Sequence, residues 1–142
     1  MISAELENLV RVGQLKREPT SPEEVTGLRR SGEARLTDAT NEGLSLDSRF
    51  DLAYNAAHAL SLAALRLAGY RSENRYIVFQ TLAHTLGVPA AVWRILAKCH
   101  GMRNQAEYEG VVDVDQRLVD DLIIAATAVR EALKSRSPSN TR

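Results

Sequence analysis

An alanine-rich segment, residues 46–70, constrains the fold of this 142-residue chain more than any other part of it. Its apolar side chains recur at spacings of three and four residues, which place them on one face of a helix. They are Phe50, Ala53, Ala57, Leu60, Ala64 and Leu67. Further alanines at positions 56, 59, 63 and 68 widen this face. Because small side chains let a second helix approach to the short end of the usual range of about 8–10 Å between axes, the segment is predicted to be a central helix.

The residues that flank this segment predict where the helix begins and ends. Ser45 can accept a hydrogen bond from a free amide of the first turn, and Asp47 places negative charge at the positive end of the helix dipole. Gly69 can adopt the left-handed conformation that ends many helices. The central helix is therefore expected between Ser45 and Gly69.

Weaker apolar stripes predict two helices before the central one. The first is a modest helix over Ser3–Val12, and a polar connector, Lys16–Thr20, follows it. The residues Ser21-Pro22-Glu23-Glu24 form a capping box with proline at the first helical position. They predict a second helix that runs to about Asn41, with Gly32 as a candidate bend.

Similar stripes predict the helices after the central one. A polar turn, residues 71–74, precedes a helix that contains Tyr76 and Leu86 and ends at Gly87. Pro89 begins the next helix, in which Gly101 is a candidate interruption. A last helix with clear amphipathic spacing covers residues 118–133.

The whole pattern predicts an all-α fold, an up-and-down helical bundle with one or two additional N-terminal helices. No segment alternates with the period of two that strands show, so no β-sheet is expected. Residues 1–44 are predicted to be an N-terminal helical hairpin or extension, residues 45–134 the bundle, and residues 135–142 a disordered polar tail. The pattern leaves open whether residues 1–44 pack onto the bundle or form a separate lid.

Composition narrows the class of protein. Eighteen lysines and arginines balance eighteen acidic residues, so the net positive charge typical of nucleic-acid-binding domains is absent and only a local basic patch remains. One cysteine excludes an internal disulfide and fits a reducing cytosol. The N-terminal residues lack a signal pattern, and no apolar run reaches the roughly 20 residues of a membrane span. We therefore expect a cytoplasmic protein that contacts no membrane.

The histidines and the cysteine give little indication of catalysis. His58, His84 and His100 do not have the spacing of metal ligands within one helix, so neither a metal nor another cofactor is predicted. His58 is expected to make an interhelical hydrogen bond. Cys99 lies in an apolar stretch, and we interpret it as a packing residue.

A polar strip at residues 98–109 is the main candidate for function. His100 and Asn104 are four residues apart, as are Arg103 and Glu107, and Asn104 and Tyr108, so each pair shares a helix face. Arg103 could bind phosphate, with Asn104 and Tyr108 on a base or ribose. The alternative is a surface pair of Arg103 and Glu107 worth tenths of a kcal/mol, with Tyr108 packing its ring. The residues alone slightly favour this alternative.

Four arginines could add positive charge to this strip. They are Arg49, Arg66, Arg71 and Arg75, near both ends of the central helix and in the turn after it. If that turn lies beside the strip, they form a basic patch in an otherwise neutral protein.

The long helix RFDLAYNAAHALSLAALRLAGYR and the later Arg103-Asn104 pair give the chain a family resemblance. From about Ser45 to Ala132 it resembles HEPN-domain proteins, small bacterial helical bundles of toxin–antitoxin and other defence loci. The resemblance implies a bundle of four to five helices that pairs into a two-fold dimer. Many members are metal-independent ribonucleases whose motif is Arg, a polar residue, three or four further residues, and His. Tyr108 stands at the position of that histidine.

This departure bears on the activity that the resemblance implies. Histidine is a general acid or base near neutral pH, and a tyrosine with a pKa of about 10 replaces it poorly. The resemblance therefore implies a homodimer associated with RNA or nucleotides, with weak or no ribonuclease activity and an antitoxin-like protein partner. Arg103 and His100 are the candidate catalytic residues, and Arg103, Asn104 and Tyr108 the candidate ligand-binding residues. The alternative is a non-catalytic dimerisation or protein-interaction module that uses its alanine-rich helix.

Overall fold

The computed structural model describes residues 3–110 and 113–136, except for the side chains of residues 107–109. Its helices are α1 (Ala4–Arg11), α2 (Pro22–Ala39), α3 (Leu46–Leu67), α4 (Arg75–Gln80), α5 (Leu82–Thr85), α6 (Ala90–Glu109) and α7 (Gln116–Lys134). Helices account for most of the described residues, and this confirms the predicted all-α bundle. The predicted tail lies mostly outside the described part, which ends at Arg136.

The helix starts follow the capping residues that the sequence indicates. The side chains of Ser3, Ser21 and Ser45 each accept a hydrogen bond from the backbone amide three residues later. Such a bond satisfies one of the free amides of a first helical turn. Gly69 follows α3 with a φ of 91°, the left-handed conformation predicted for it.

The core is built around α3, with α2 along one side and α7 along another. Val25 and Leu36 of α2 are buried in the same apolar cluster as Leu60 of α3 and Leu122 of α7. Helix α2 therefore belongs to the bundle core and does not form a separate lid. Although α3 has 22 residues, no helix in the described ranges is long and apolar enough to cross a membrane.

The alanine-rich face of α3 is covered by this chain's own helices. Ala56 and Ala63 have no exposed surface. Gly32 of α2 is not a bend, because α2 continues through it. Instead, a Cβ atom on Gly32 would lie 2.6 Å from Leu60 Cγ, so glycine is what allows the two helices to approach this closely. The face that the interaction-module hypothesis assigns to a partner is thus occupied within the chain.

The close contact predicts opposite effects for two glycines of α2. Gly32→Ala is expected to lower the unfolding free energy by about 1–3 kcal/mol, because overpacking against Leu60 outweighs the better helix propensity of alanine. Gly27→Ala is the matched control: a Cβ there meets nothing within 4 Å, so a gain of about 0.5–1 kcal/mol is expected. Urea denaturation measures both changes. Two changes of the same sign would contradict the role given to Gly32.

A short antiparallel pair of strands corrects the expectation that no sheet is present. Strand β1 (Lys16–Arg17) lies in the polar connector after α1, and β2 (Tyr70–Arg71) directly follows α3. Strands of two residues are too short to show an alternating pattern in sequence. They exist because the connector is held against the end of α3.

Arg66 holds the connector in place. Its side chain is 1% exposed, and its Nε donates to Glu24 Oε1 at 2.9 Å. Its terminal nitrogens donate to the carbonyl oxygens of Glu18, Pro19 and Tyr70, at distances of 3.0, 2.6 and 3.1 Å. All sides of this guanidinium are therefore engaged within the fold.

The proposed basic patch of four arginines is wrong for three of them. Arg66 and Arg71 both form ion pairs with Glu18 and Glu24. Arg49 is buried, and its Nε donates to the carbonyl oxygen of Ala39 at the end of α2. These three arginines therefore bind groups of the fold itself. Of the four, only Arg75 lies near the polar strip.

Two further helix boundaries differ from the sequence prediction. The helix expected to end at Gly87 is divided at Thr81 into α4 and α5, where the Thr81 hydroxyl donates to the carbonyl oxygen of Val78 at 2.7 Å. Such side-chain bonds compete with a regular helix. Conversely, α6 runs through Gly101 without interruption. Burial of Leu96 and Cys99, which precede Gly101 on the same helix, outweighs the low helix propensity of one glycine.

Candidate functional site

A buried tyrosine lies at the centre of the polar groups of the bundle. Tyr54, in the first half of α3, is 1% exposed. Its ring is stacked with Phe50 at 6.3 Å between centroids and meets the edge of Phe79 from α4 at 5.9 Å. This packing fixes the ring and directs its hydroxyl towards α6.

His100 of α6 connects Tyr54 to Asn104. Tyr54 Oη lies 2.8 Å from His100 Nδ1, and Asn104 Nδ2 lies 3.2 Å from His100 Nε2. An amide nitrogen can only donate, so His100 Nε2 is the acceptor in its contact with Asn104. The contact of His100 with Asn104 is the one expected from their spacing of four residues.

Two arginines lie over the ring of Tyr54. The guanidinium carbon of Arg103, on α6, is 5.2 Å from the ring centroid, and that of Arg75, at the start of α4, is 5.5 Å from it. Both distances are within the range of cation–π attraction. We call Tyr54, His58, Arg75, His100, Arg103 and Asn104 the Tyr54 cluster.

The two arginines differ in their hydrogen-bond partners. Arg103 Nη1 lies 2.7 Å from Asp51 Oδ1, and the Asp51 side chain is 63% exposed. Arg75 Nη1 donates to the neutral Asn55 Oδ1 at 3.1 Å, and among the residues that the structure describes no carboxylate forms an ion pair with Arg75. The cluster therefore carries one weakly paired and one uncompensated positive charge.

His58 lies one turn after Tyr54 on α3 and corrects another expectation. Its ring meets the edge of Phe79 at 6.1 Å between centroids, and in the described part of the chain it makes no hydrogen bond. Burial lowers the pKa of His58 to about 4, with further lowering by Arg75 and His100. His58 is therefore neutral at physiological pH.

The Tyr54 hydroxyl also stays in its neutral form. Burial raises the pKa of Tyr54 above its ordinary value, although Arg75 and Arg103 act in the opposite direction. Neutral aromatic groups thus form the inner wall of the cluster, and the guanidinium groups supply its charge. This combination suits the binding of an anion at the outer side of the cluster.

Cys99 and the histidines do not form a reactive centre in this region. Cys99 has no exposed surface, and burial raises its pKa to about 11, which confirms a packing role. Within residues 3–110 and 113–136, no group of three side chains could hold a metal ion.

The structure brings three of the four predicted site residues together. His100, Arg103 and Asn104 lie in one cluster, whereas the Tyr108 and Glu107 side chains lie outside the described part. The predicted pair of Arg103 and Glu107 is therefore untested, and the recorded partner of Arg103 is Asp51. Sequence reasoning missed Tyr54. The signal that could have indicated it is a tyrosine and a histidine four residues apart among the alanines of the central helix.

Comparisons of the chain with family models, with curated proteins and with solved structures gave no match.

Proposed function

We propose that the Tyr54 cluster binds the phosphate group of an RNA or a nucleotide in a HEPN-like, cytoplasmic protein of a toxin–antitoxin-like or defence system. The observation that supports this proposal is the placement of Arg75 and Arg103 over one buried ring, beside the pair of His100 and Asn104. Guanidinium groups are the preferred ligands of phosphate because their paired N–H groups match its oxygens.

Phosphate can replace the present partner of Arg103 at small cost. An exposed ion pair such as that of Arg103 with Asp51 contributes only about 0–1 kcal/mol. A phosphate bound between both arginines would gain two charge-assisted contacts and would also compensate Arg75. The amide of Asn104, which is exposed, is then positioned for a base or ribose.

RNA cleavage by this cluster is expected to be weak or absent. Both ring nitrogens of His100 are occupied, by Tyr54 and by Asn104, and a general acid or base needs one of them free to transfer a proton. Arg103 and His100 remain the candidate catalytic residues. Any cleavage that does occur should be lost in His100→Ala.

Binding of fluorescently labelled single-stranded RNA, measured by anisotropy, tests the proposal. Arg103→Ala and Arg75→Ala are each expected to weaken binding about tenfold or more, because each removes a charge-assisted contact. Arg35→Ala is the control. It removes the same charge from the exposed side of α2, where Arg35 hydrogen-bonds, among the described residues, to Ser31 alone, and should change affinity much less.

Asp51→Asn is expected to strengthen RNA binding. It removes the carboxylate that competes for Arg103, so RNA affinity should increase severalfold. The proposal is wrong if the wild-type protein does not bind RNA or nucleotides, or if Arg103→Ala binds as well as wild type with unchanged helicity.

The homodimer and the antitoxin-like partner are part of the same proposal and are supported by the family resemblance. Light scattering at micromolar concentration measures the mass of the purified protein. A monomeric mass would remove the homodimer from the proposal, and the binding test above would stand independently.

A further inference from the structure

A cavity of ≈ 730 Å³ lies at the other end of α3 from the Tyr54 cluster. It is bounded by the starts of α1 and α2, the end of α3, α5, and the residues after α7. Ala64, its first α3 residue, is ten positions beyond Tyr54, or about 15 Å along the helix. The cavity therefore forms a separate place on the molecule, which the proposed function does not use.

The inner wall of this cavity is apolar. Leu6, Ala64 and Leu86 line it and are themselves buried, and Leu67 and Pro22 extend it. The volume falls within the range of about 300–1,000 Å³ that small-molecule sites occupy. Such a wall favours an aliphatic ligand, because each methylene group removed from water contributes favourably to binding.

A single arginine lies at the polar side of the cavity. Arg136 Nη1 donates to the carbonyl oxygen of Thr85 at 2.9 Å, which holds the guanidinium against the end of α5. Neither its Nε nor its Nη2 is hydrogen-bonded within the described residues, and no carboxylate there pairs with it. The Nε–Nη2 edge is the fork that binds the two oxygens of a carboxylate.

A second polar group beside Arg136 lacks a partner. Thr85 also lines the cavity and is 8% exposed, and its hydroxyl forms no hydrogen bond in the described part of the chain. A buried hydroxyl without a partner is uncommon, because it lowers stability. Its hydrogen can rotate towards an acceptor held by Arg136. His84 lines the same side, and its Nδ1 lies 4.0 Å from Glu5 Oε1, so the ring of His84 already faces a carboxylate of this chain.

We propose that this cavity binds a small amphiphilic molecule with an aliphatic chain and one carboxylate head. The carboxylate pairs with the free edge of Arg136 and accepts a hydrogen bond from Thr85. The chain lies along Leu6, Ala64 and Leu86. This proposal is independent of the Tyr54 cluster.

Titration calorimetry with sodium octanoate tests the proposal, with octanol as the matched neutral probe. Octanoate should bind one site per chain, and octanol should bind at least tenfold more weakly, because it cannot use the fork of Arg136. Amide chemical shifts should change at residues 84–86 and not around Tyr54.

Three variants locate the binding. Arg136→Gln should weaken octanoate binding at least tenfold while leaving octanol unchanged. Arg130→Gln is its control, since Arg130 lies on α7 and pairs with Glu131, and should bind octanoate as wild type does. Ala68→Phe fills the cavity from an exposed position at the end of α3, outside the core, and should abolish binding of both probes.

Several outcomes would overturn the proposal. Failure of octanoate to bind at millimolar concentration would do so, as would equal affinity for octanol or binding that Arg136→Gln leaves unchanged. Binding that survives Ala68→Phe, with shifts outside residues 84–86, would place the ligand elsewhere. None of these results bears on RNA binding, so failure here is distinguishable from failure of the proposed function.

Discussion

Replacing Arg66 with alanine is expected to lower the unfolding free energy by about 3–5 kcal/mol, which is a large part of the stability of a small domain. The variant leaves three backbone carbonyl groups without the guanidinium donor and removes one of the two arginines that pair with the carboxylate of Glu24. A buried polar group that loses its hydrogen-bond partner is still kept from water. The free-energy cost of removing it from water is then no longer offset by a hydrogen bond. Urea denaturation followed by circular dichroism measures the change.

Two other variants separate this burial from simple charge removal. Arg71 pairs with the same glutamates but is partly exposed, so Arg71→Ala should cost about 1 kcal/mol or less. Arg66→Lys keeps the positive charge but lacks the planar set of N–H donors of a guanidinium. It should therefore be only slightly more stable than Arg66→Ala. If Arg66→Ala and Arg71→Ala cost the same, the buried network does not stabilise the fold as described.

Lowering the pH from 7 to 4 is expected to remove about 3 kcal/mol of unfolding free energy through His58. Its pKa in the folded state is about 4, against 6.5 for the free side chain, and each unit of difference corresponds to about 1.4 kcal/mol. The unfolded chain binds the proton more readily between these values, so stability falls as the pH falls through this window.

The comparison of wild type with His58→Gln isolates this contribution. Both proteins share the acidic groups that also titrate near pH 4, so only the difference between their losses belongs to His58. The variant should lose about 3 kcal/mol less than wild type. Parallel curves for wild type and His58→Gln would show that His58 is hydrated in the folded protein.

The features of the fold that could be predicted from sequence depend on residues that are close together in the chain. The caps at Ser3, Ser21 and Ser45 involve residues three positions apart, and the face of α3 follows from helical periodicity. The roles of Gly32 and Arg66 could not be predicted in this way. Gly32 meets Leu60, and Arg66 meets Glu24, 42 residues away in sequence. Such contacts depend on how the helices pack together.

The same distinction applies to the candidate site. The contact between His100 and Asn104 follows from their positions on one helix. Tyr54 and His100 are 46 residues apart, and nothing in the local sequence of either indicates the other. Asp51 and Arg103 are separated by 52 residues, so the partner expected for Arg103 from helix spacing was Glu107.

The buried guanidinium of Arg66 also bears on how the chain opens. Local opening of the connector would take the carbonyl groups of Glu18 and Pro19 away from the guanidinium of Arg66, and the loss of hydrogen bonds to a charged group is costly. The connector and the end of α3 should therefore open together, as one cooperative unit, and not by fraying of the short strands. The amide hydrogen of Glu18, which bonds to the carbonyl oxygen of Gly69, would then exchange about as slowly as those of the central helix, although it lies in a segment with almost no regular structure of its own.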